Sequence, residues 1–436
     1  MTPQSPFALL GKKRFLPFFL TQALGAFNDN LYKQSLILAI LFKLSLDENL
    51  DLLINLCALL FILPFFLFSA LGGQFGEKYA KDALIRLLKL AEIVIMAVGA
   101  TGLLLGNLPL LLFALFAMGS QSALFGPVKY SILPQHLKEQ ELMGGNALVE
   151  MGTFLAILIG TLGAGLMMSS ASYAPRVATA ILLVAAAGYL LSRGIPRAAA
   201  ALPSLQVDWH IFRQSAAILR LGLGQQRAVS HAMIGISWFW FIGAVYLTQI
   251  PAYAQRWLNG DETVVSLILL VFSIGIGLGS LLCARLSRGK IEPGLVPFGA
   301  LGLTLFGLLL GWHSGGFPSG LHDWLSVLGQ GQAWWVLLDI LGLGLFGGLY
   351  IVPLYALIQS RTQAQERARV IAANNILNAL FMVVSALVSM LALSLAELSI
   401  PQLFVLVALL NIALNAFILL RVPEFGRRFR GWLRGH

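Results

Sequence analysis

Apolar residues in this chain fall into long runs, and the polar residues gather in short clusters between them, which is the pattern of buried or membrane-crossing helices. Twelve runs predict helices near residues 15–43, 50–75, 84–106, 109–133, 144–168 and 174–193, then 227–257, 262–286, 294–312, 333–360, 369–394 and 400–422. Each is long enough for ~30 Å of hydrocarbon at ~1.5 Å of rise per residue. The Gly/Ser/Trp/His stretch 313–332 has room for a short interfacial helix. A polar stretch, 194–226, separates two groups of six helices, giving an expected N-terminal bundle over 1–193 and a C-terminal bundle over 227–436 that ends in a basic tail. Within that stretch Trp209, Ile211, Phe212, Ala216, Ile218 and Leu219 are spaced to form one face of a membrane-surface helix bearing Arg213 and Arg220. A loosely ordered linker is the alternative.

Composition identifies the solvent. Of 436 residues, 58% are hydrophobic and 11% charged, with a mean hydropathy of +0.83. Soluble domains carry about 25% charged residues, so no single aqueous core accommodates this chain, and a soluble enzyme is excluded. Cys57 and Cys283 lie inside apolar runs without metal-ligand spacing and read as packing residues. Met1–Gly11 lacks the features of a cleaved secretory signal, so the first helix is expected in the mature protein. Nearly all Lys and Arg outside the helices fall on one face of the predicted topology, while the other holds Lys43, Arg176 and Arg256. This asymmetry puts both termini in the cytoplasm. It also accounts for the net charge of +10 through contact with anionic membrane lipids, so no nucleic-acid partner is implied.

The halves carry a trace of internal repetition. "FGPVKYSILPQ" leading into "GGNALVEM" corresponds to "YIVPLYALIQS" leading into "AANNILNA", which pairs Pro127 with Pro353 and Asn146 with Asn374 about half a chain apart. Secondary transporters are built from such repeats, with the substrate site near mid-membrane between them.

Ionisable groups in hydrocarbon cost roughly 2.5–3.5 kcal/mol each, so each one needs an account. The densest cluster is "GAFNDNLYKQS" in the first helix, with Asn28, Asp29, Asn30, Lys33 and Gln34. Asp29 falls ~21 Å along that helix, near its middle. Asp29 and Lys33, four apart, share a face and can neutralise one another. The remaining amides favour a wet cavity and a substrate or coupling-ion site. Lys129 and Glu150 flank the short connection between the fourth and fifth helices at similar depth and are expected to pair in a cytoplasmic gate; Lys129 snorkelling to the interface is the alternative. Asn146, one turn before Glu150, joins this candidate path. Tyr246 and Gln249 of the seventh helix are expected to line the cavity. Asn374, Asn375 and Asn378 of the eleventh serve either as interhelical glue or as a headgroup site. Glu92 is read as a local partner of Lys89 near a helix end, and Asp339 has no evident partner in the sequence. The glycines at 275, 277, 279, 342, 344, 347 and 348 read as helix-packing residues, because no strand and no Walker Lys-Ser/Thr accompanies them. No catalytic residue, metal site or cofactor is expected.

"GGQFGEKYAKD" (72–82) resembles the loop motif of the major facilitator superfamily, in which a Gly-rich turn with an acid and bases locks the cytoplasmic ends; Gly73, Glu77 and Lys81 are the matching positions. "GAFNDN", "QFGEKYAK", "FGPVKYSIL", "GGNALVE" and "GGLYIVPLYALIQ" together resemble the lysophospholipid transporter (LplT-like) family of that superfamily across both halves. The resemblance implies an all-α membrane protein of about twelve transmembrane helices in two six-helix halves. It further implies facilitated flipping of lysophospholipids from the outer to the inner leaflet of the bacterial inner membrane, for reacylation inside, with Asp29 and Lys129 in the path. Some relatives carry fused acylating domains. This sequence has no His followed four residues later by Asp, so an acyltransferase/acyl-ACP synthetase is expected as a separate partner. The sequence departs from the family pattern around Tyr246–Pro251 and in the "NDN" triplet. A monomer is expected for a fold with its cavity between two halves. The competing readings are a proton-coupled exporter of drugs or other amphiphiles, an intramembrane enzyme and a membrane scaffold.

Overall fold

The computed structural model describes residues 5–44, 50–317, 320 and 322–434; the readings above that fall on residues 1–4, 318, 319, 321, 435 and 436 lie outside the described residues. Twelve long helices occur among them. α1 is Leu16–Phe42, α2 Leu50–Lys78, α3 Lys81–Leu105, α4 Leu108–Ser131, α5 Glu139–Met168 and α6 Tyr173–Ser192. α7 is Arg227–Trp257, α8 Glu262–Leu286, α9 Leu295–His313, α10 Gly331–Arg361, α11 Arg367–Met390 and α12 Ile400–Arg421. Among the described residues, eleven helices are long and apolar enough to cross a membrane. α1, at 27 residues, is the exception, because the run from Asn28 to Gln34 interrupts its apolar stretch.

Helix ends differ from the sequence expectation where polar residues continue a helix. α5 starts at Glu139, several residues early, because the Glu141 carboxylate accepts the Lys138 backbone N–H at 2.8 Å and caps the first turn. α2 runs on through "GGQFGEK", so Gly73 and Glu77 are helical and not part of a turn. Elsewhere the caps are those the sequence provides. Asn107 accepts from Leu110 N at 3.0 Å to open α4, and Gly106, at φ +62°, closes α3.

α1 packs on α5 and α6, α2 on α4, and α3 on α4 and α6; α8 packs on α10, α9 on α10 and α12, and α7 on α11. The α8–α10 crossing brings backbone against backbone. A Cβ on Gly279 would lie 1.9 Å from the Leu345 carbonyl oxygen, and one on Gly344 would lie 2.3 Å from that of Phe272. The bundles meet through α2–α11, α5–α8, α4–α11 and α5–α10. One hydrophobic core runs from the end of the first bundle where the chain starts into the whole second bundle. A separate cluster (Leu36, Met96, Leu111 and Ile181 among its members) fills the first bundle's opposite end. The halves are thus sealed at the end that carries most of the Lys and Arg, called the basic end below.

The connection between the bundles is hydrogen-bonded to that end. Lys81 N donates to Ala198 O, Ala198 N to Asp82 Oδ1 and Leu202 N to Glu77 O, each at 2.9 Å. A helix, Ile211–Leu223, follows and packs on α2 and α11, leaving Trp209 and Phe212 exposed. The His210 backbone N–H and the Arg213 side chain hold the Asp208 carboxyl well below its ordinary range. A last helix, Pro423–Leu433, buries Phe425 and is tethered by Arg361 to Glu424 at 2.5 Å. At the opposite end, a short helix, Trp324–Leu328, lies in the 313–332 stretch, which is flanked by Trp312, Trp334 and Trp335, exposed in the manner of an interfacial aromatic belt.

Candidate functional site

The site is built from α1, α4 and α5. On α5, Asn146, Glu150 and Thr153 follow i, i+4, i+7 spacing and therefore share one face. On α4, Ser122 and Lys129 are seven apart, and on α1 Gln22 and Asp29 are as well, so each pair also shares a helix face. Ser122 Oγ donates to Asp29 Oδ2 at 2.7 Å. Lys129 Nζ donates to Thr153 Oγ1 at 3.0 Å, and Thr153 Oγ1 lies 3.0 Å from Gln22 Oε1. The amide nitrogen of Gln22 is buried against Gly152 without a hydrogen-bond partner. Asp29 is half-buried at the middle of α1 and Lys129 half-buried in the last turn of α4, and the charge of Lys129 lies within reach of both Glu150 and Asp29. Beside this polar wall, Phe154 of α5 meets Phe239 and Trp240 of α7 and Phe272 of α8 with ring centroids 6.2–6.5 Å apart.

Two pairings that the sequence allowed, Asp29 with Lys33 and Lys129 with Glu150, are not made. Asp29 bonds across to α4, while Lys33 stands 4.9 Å over the Phe61 ring, so the first helix does not neutralise itself. Lys129 and Glu150 take separate partners, because Glu150 Oε1 accepts the Tyr130 hydroxyl at 2.6 Å. Tyr130 in turn stacks on Tyr355 of α10, with centroids 4.1 Å apart and planes 5° from parallel. Directly below, Asn146 and Gln359 exchange two side-chain hydrogen bonds of 2.7 and 3.0 Å across the halves. Both side chains are fully buried.

The remaining candidates are distributed more widely. Asn30 bonds its own helix at Ala26 O, and Gln34 and Gln249 are half-buried. Tyr246 points into the second bundle against Phe404, with centroids 4.7 Å apart, and is away from Asp29. Asn378 accepts from Ser237 at 2.8 Å and from Asn374 at 3.4 Å, and Asn375 packs where a Cβ on Gly126 of α4 would sit. Asp339 does have a partner, His313 Nδ1 at 2.6 Å. Glu77 accepts Arg369 Nε at 2.6 Å and the Arg369 backbone N–H at 3.1 Å, so its partner comes from the other half and is not Lys81. Gly73 permits that approach: a Cβ there would stand 2.8 Å from the Ala372 Cβ and 3.0 Å from the Arg369 Cα. Lys89 and Glu92 do pair, at 2.5 Å, but two to three turns into α3 and fully buried. Sequence reasoning passed over Gln22, Ser122, Thr153 and Gln359. The first three carry a usable signal, since each stands seven or three residues along a helix from a residue already singled out.

The Major Facilitator Superfamily profile matches residues 18–386. The Lysophospholipid transporter LplT of Photorhabdus laumondii subsp. laumondii is 27% identical over 349 residues, 78% of each chain. That of Escherichia fergusonii is 26% identical over 357 residues, 81% of each. Among solved structures, the human organic anion transporter MFSD10 superposes with a TM-score of 0.72 at 15% identity, covering 92% of this chain and 98% of that one. The transporter FucP in the outward conformation gives 0.70 at 14% identity, over 94% and 99%.

Proposed function

The chain belongs to the Major Facilitator Superfamily, and from that premise we propose that it carries lysophospholipids across a bacterial inner membrane, from the outer to the inner leaflet, for reacylation inside. The relatives and the fold are those of multi-pass membrane transporters, and the relatives named above are lysophospholipid transporters. In this reading both termini and the basic end are cytoplasmic, in line with the Lys and Arg distribution. A separate acyltransferase/acyl-ACP synthetase would use the delivered lipid.

One observation carries the assignment: a half-buried ammonium, Lys129, beside the unpartnered amide nitrogen of Gln22, with the Asp29 carboxylate on the same wall and the Phe154 aromatic cluster next to it. A lysophospholipid has complementary parts. Its phosphate meets Lys129 and Gln22, an amine headgroup meets Asp29, and its single acyl chain lies along the aromatic side. Moving the polar head through hydrocarbon is the slow step, and this wall replaces its water. Asn30, Lys33 and Gln34 extend the polar wall along α1, whereas Asn28, a candidate from the sequence, is fully buried against α3 and α6 and faces away from it. Closure at the basic end corresponds to a carrier loaded from the outer side.

The test is uptake of labelled lysophosphatidylethanolamine and lysophosphatidylglycerol into the inner leaflet of proteoliposomes, for wild type and Asp29→Asn. Rapid wild-type movement of both is expected. In Asp29→Asn the loss should fall on the ethanolamine lipid, by about tenfold for one charge-assisted contact. A wild type that moves neither lipid, yet expels an organic cation when a proton gradient is imposed, would establish the exporter instead.

A further inference from the structure

Behind the polar wall of α1, α4 and α5 lies a second polar group that the proposed transport step does not use. Lys89 and Glu92 of α3 are 1% and 2% exposed and joined at 2.5 Å. Glu92 also accepts from Asn28 Nδ2 at 3.1 Å and from Gln121 Nε2 at 3.4 Å, and Asn28 Nδ2 reaches Ile181 O of α6 at 3.2 Å. Three donors from three helices therefore converge on one carboxylate. The lysine runs through a notch of two glycines: a Cβ on Gly25 of α1 would stand 3.0 Å from its Nζ, and one on Gly188 of α6 would stand 2.8 Å from its Cε.

Stability does not explain such a pair. Desolvation of both ions in a low dielectric roughly cancels their attraction, and apolar pairs of similar volume hold equally well. Asn28 and Asp29 are adjacent on α1 and thus ~100° apart around it. With Asn28 tied to Glu92, and Tyr32 one turn on tied to Leu111 O at 2.8 Å, the neighbouring Asp29 is turned to Ser122. Gln121 and Ser122 are likewise adjacent on α4, so the helix that supplies the Asp29 partner is held by the same carboxylate.

We propose that the buried Lys89–Glu92 pair is a positioning device that sets the rotation of α1 and α4 and so aims Asp29 into the cavity. The role given to Asp29 rests on the function proposed above; the rotation does not. A neutral pair, Lys89→Met with Glu92→Leu, keeps both amides hydrogen-bonded, Asn28 to Ile181 O and Gln121 to Leu88 O, and should fold.

The test places Asp29→Cys, and separately Thr153→Cys as a cavity reference on α5, in a chain with Cys57 and Cys283 replaced by alanine. Labelling by a water-soluble methanethiosulfonate is then followed with and without the neutral pair. With the pair intact both positions react; with it neutralised, the rate at 29 relative to 153 should fall about tenfold while the melting temperature holds. In transport by the cysteine-intact chain, the neutral pair should raise KM for the amine lipid about tenfold and leave the maximal rate within about twofold. An unchanged labelling ratio in the folded neutral-pair chain overturns the proposal. Failure of wild type to move lysophospholipid overturns the transport reading alone, because the labelling arm contains no lipid.

Discussion

Glu77→Gln is expected to remove most transport and to lower the population closed at the basic end by about a hundredfold, the equivalent of the ~3 kcal/mol that breaking a buried ion pair costs at the lower end of its range. The carboxylate is inaccessible to solvent and makes two contacts with one residue of the other half, the guanidinium and the backbone N–H of Arg369. That N–H belongs to the first turn of α11, so the charge of Glu77 also faces the positive end of a helix. Glutamine keeps the shape but loses both charge terms. The population can be read from the distance between spin labels on the basic ends of α2 and α11. A second route should act in the same direction: Gly73→Leu fills the space that Ala372 and Arg369 occupy and forces the helices apart. A closed population unchanged in both variants would show that this contact does not hold the gate.

Lys129→Met is expected to cut lysophospholipid transport by about tenfold to a hundredfold, because a hydrogen bond to a charged phosphate contributes about 1.5–3 kcal/mol. The loss should be the same for ethanolamine and glycerol headgroups, since both carry the phosphate, whereas Asp29→Asn should separate them. Methionine matches the lysine stem in length and relieves the desolvation of the ammonium, so the melting temperature should not drop. Thr153→Val, which removes only the oxygen that Lys129 rests on, should cost less than Lys129→Met. Transport by Lys129→Met at the wild-type rate would take the phosphate contact away from this residue.

The helices were legible because long apolar runs record burial directly, and α7 and α8 begin and end where the pattern breaks. Errors gathered where polar residues stay helical, as in "GGQFGEK" and the first turn of α5, since composition there imitates a loop. Depth was misread for the same reason. α3 starts at Lys81, which puts Glu92 well inside the bundle, yet "KDALIRLLK" looks like an approach to the membrane. The first-helix cluster stood out because amides and charges are costly in hydrocarbon. Partner choice did not, because it is set by tertiary contact: Asn146 and Gln359 are 213 residues apart, and nothing local distinguishes that amide from its neighbours. Spacing puts Lys129 and Glu150 at similar depth, but each has a nearer hydroxyl, Thr153 or Tyr130, that residue spacing alone could not weigh.

The charges inside the first bundle come in compensating signs: Asp29, Glu92 and Glu150 against Lys33, Lys89 and Lys129. A bundle that rocks with such balanced charge transfers almost none of its own through the membrane field, which acts at ~2.3 kcal/mol per elementary charge per 100 mV. The Asn146–Gln359 contact that has to part is likewise neutral. Voltage therefore acts on the cargo. A zwitterionic lysolipid should cross at a rate indifferent to membrane potential, while an anionic one, carrying its charge inward, should be slowed by an inside-negative potential in the same vesicles.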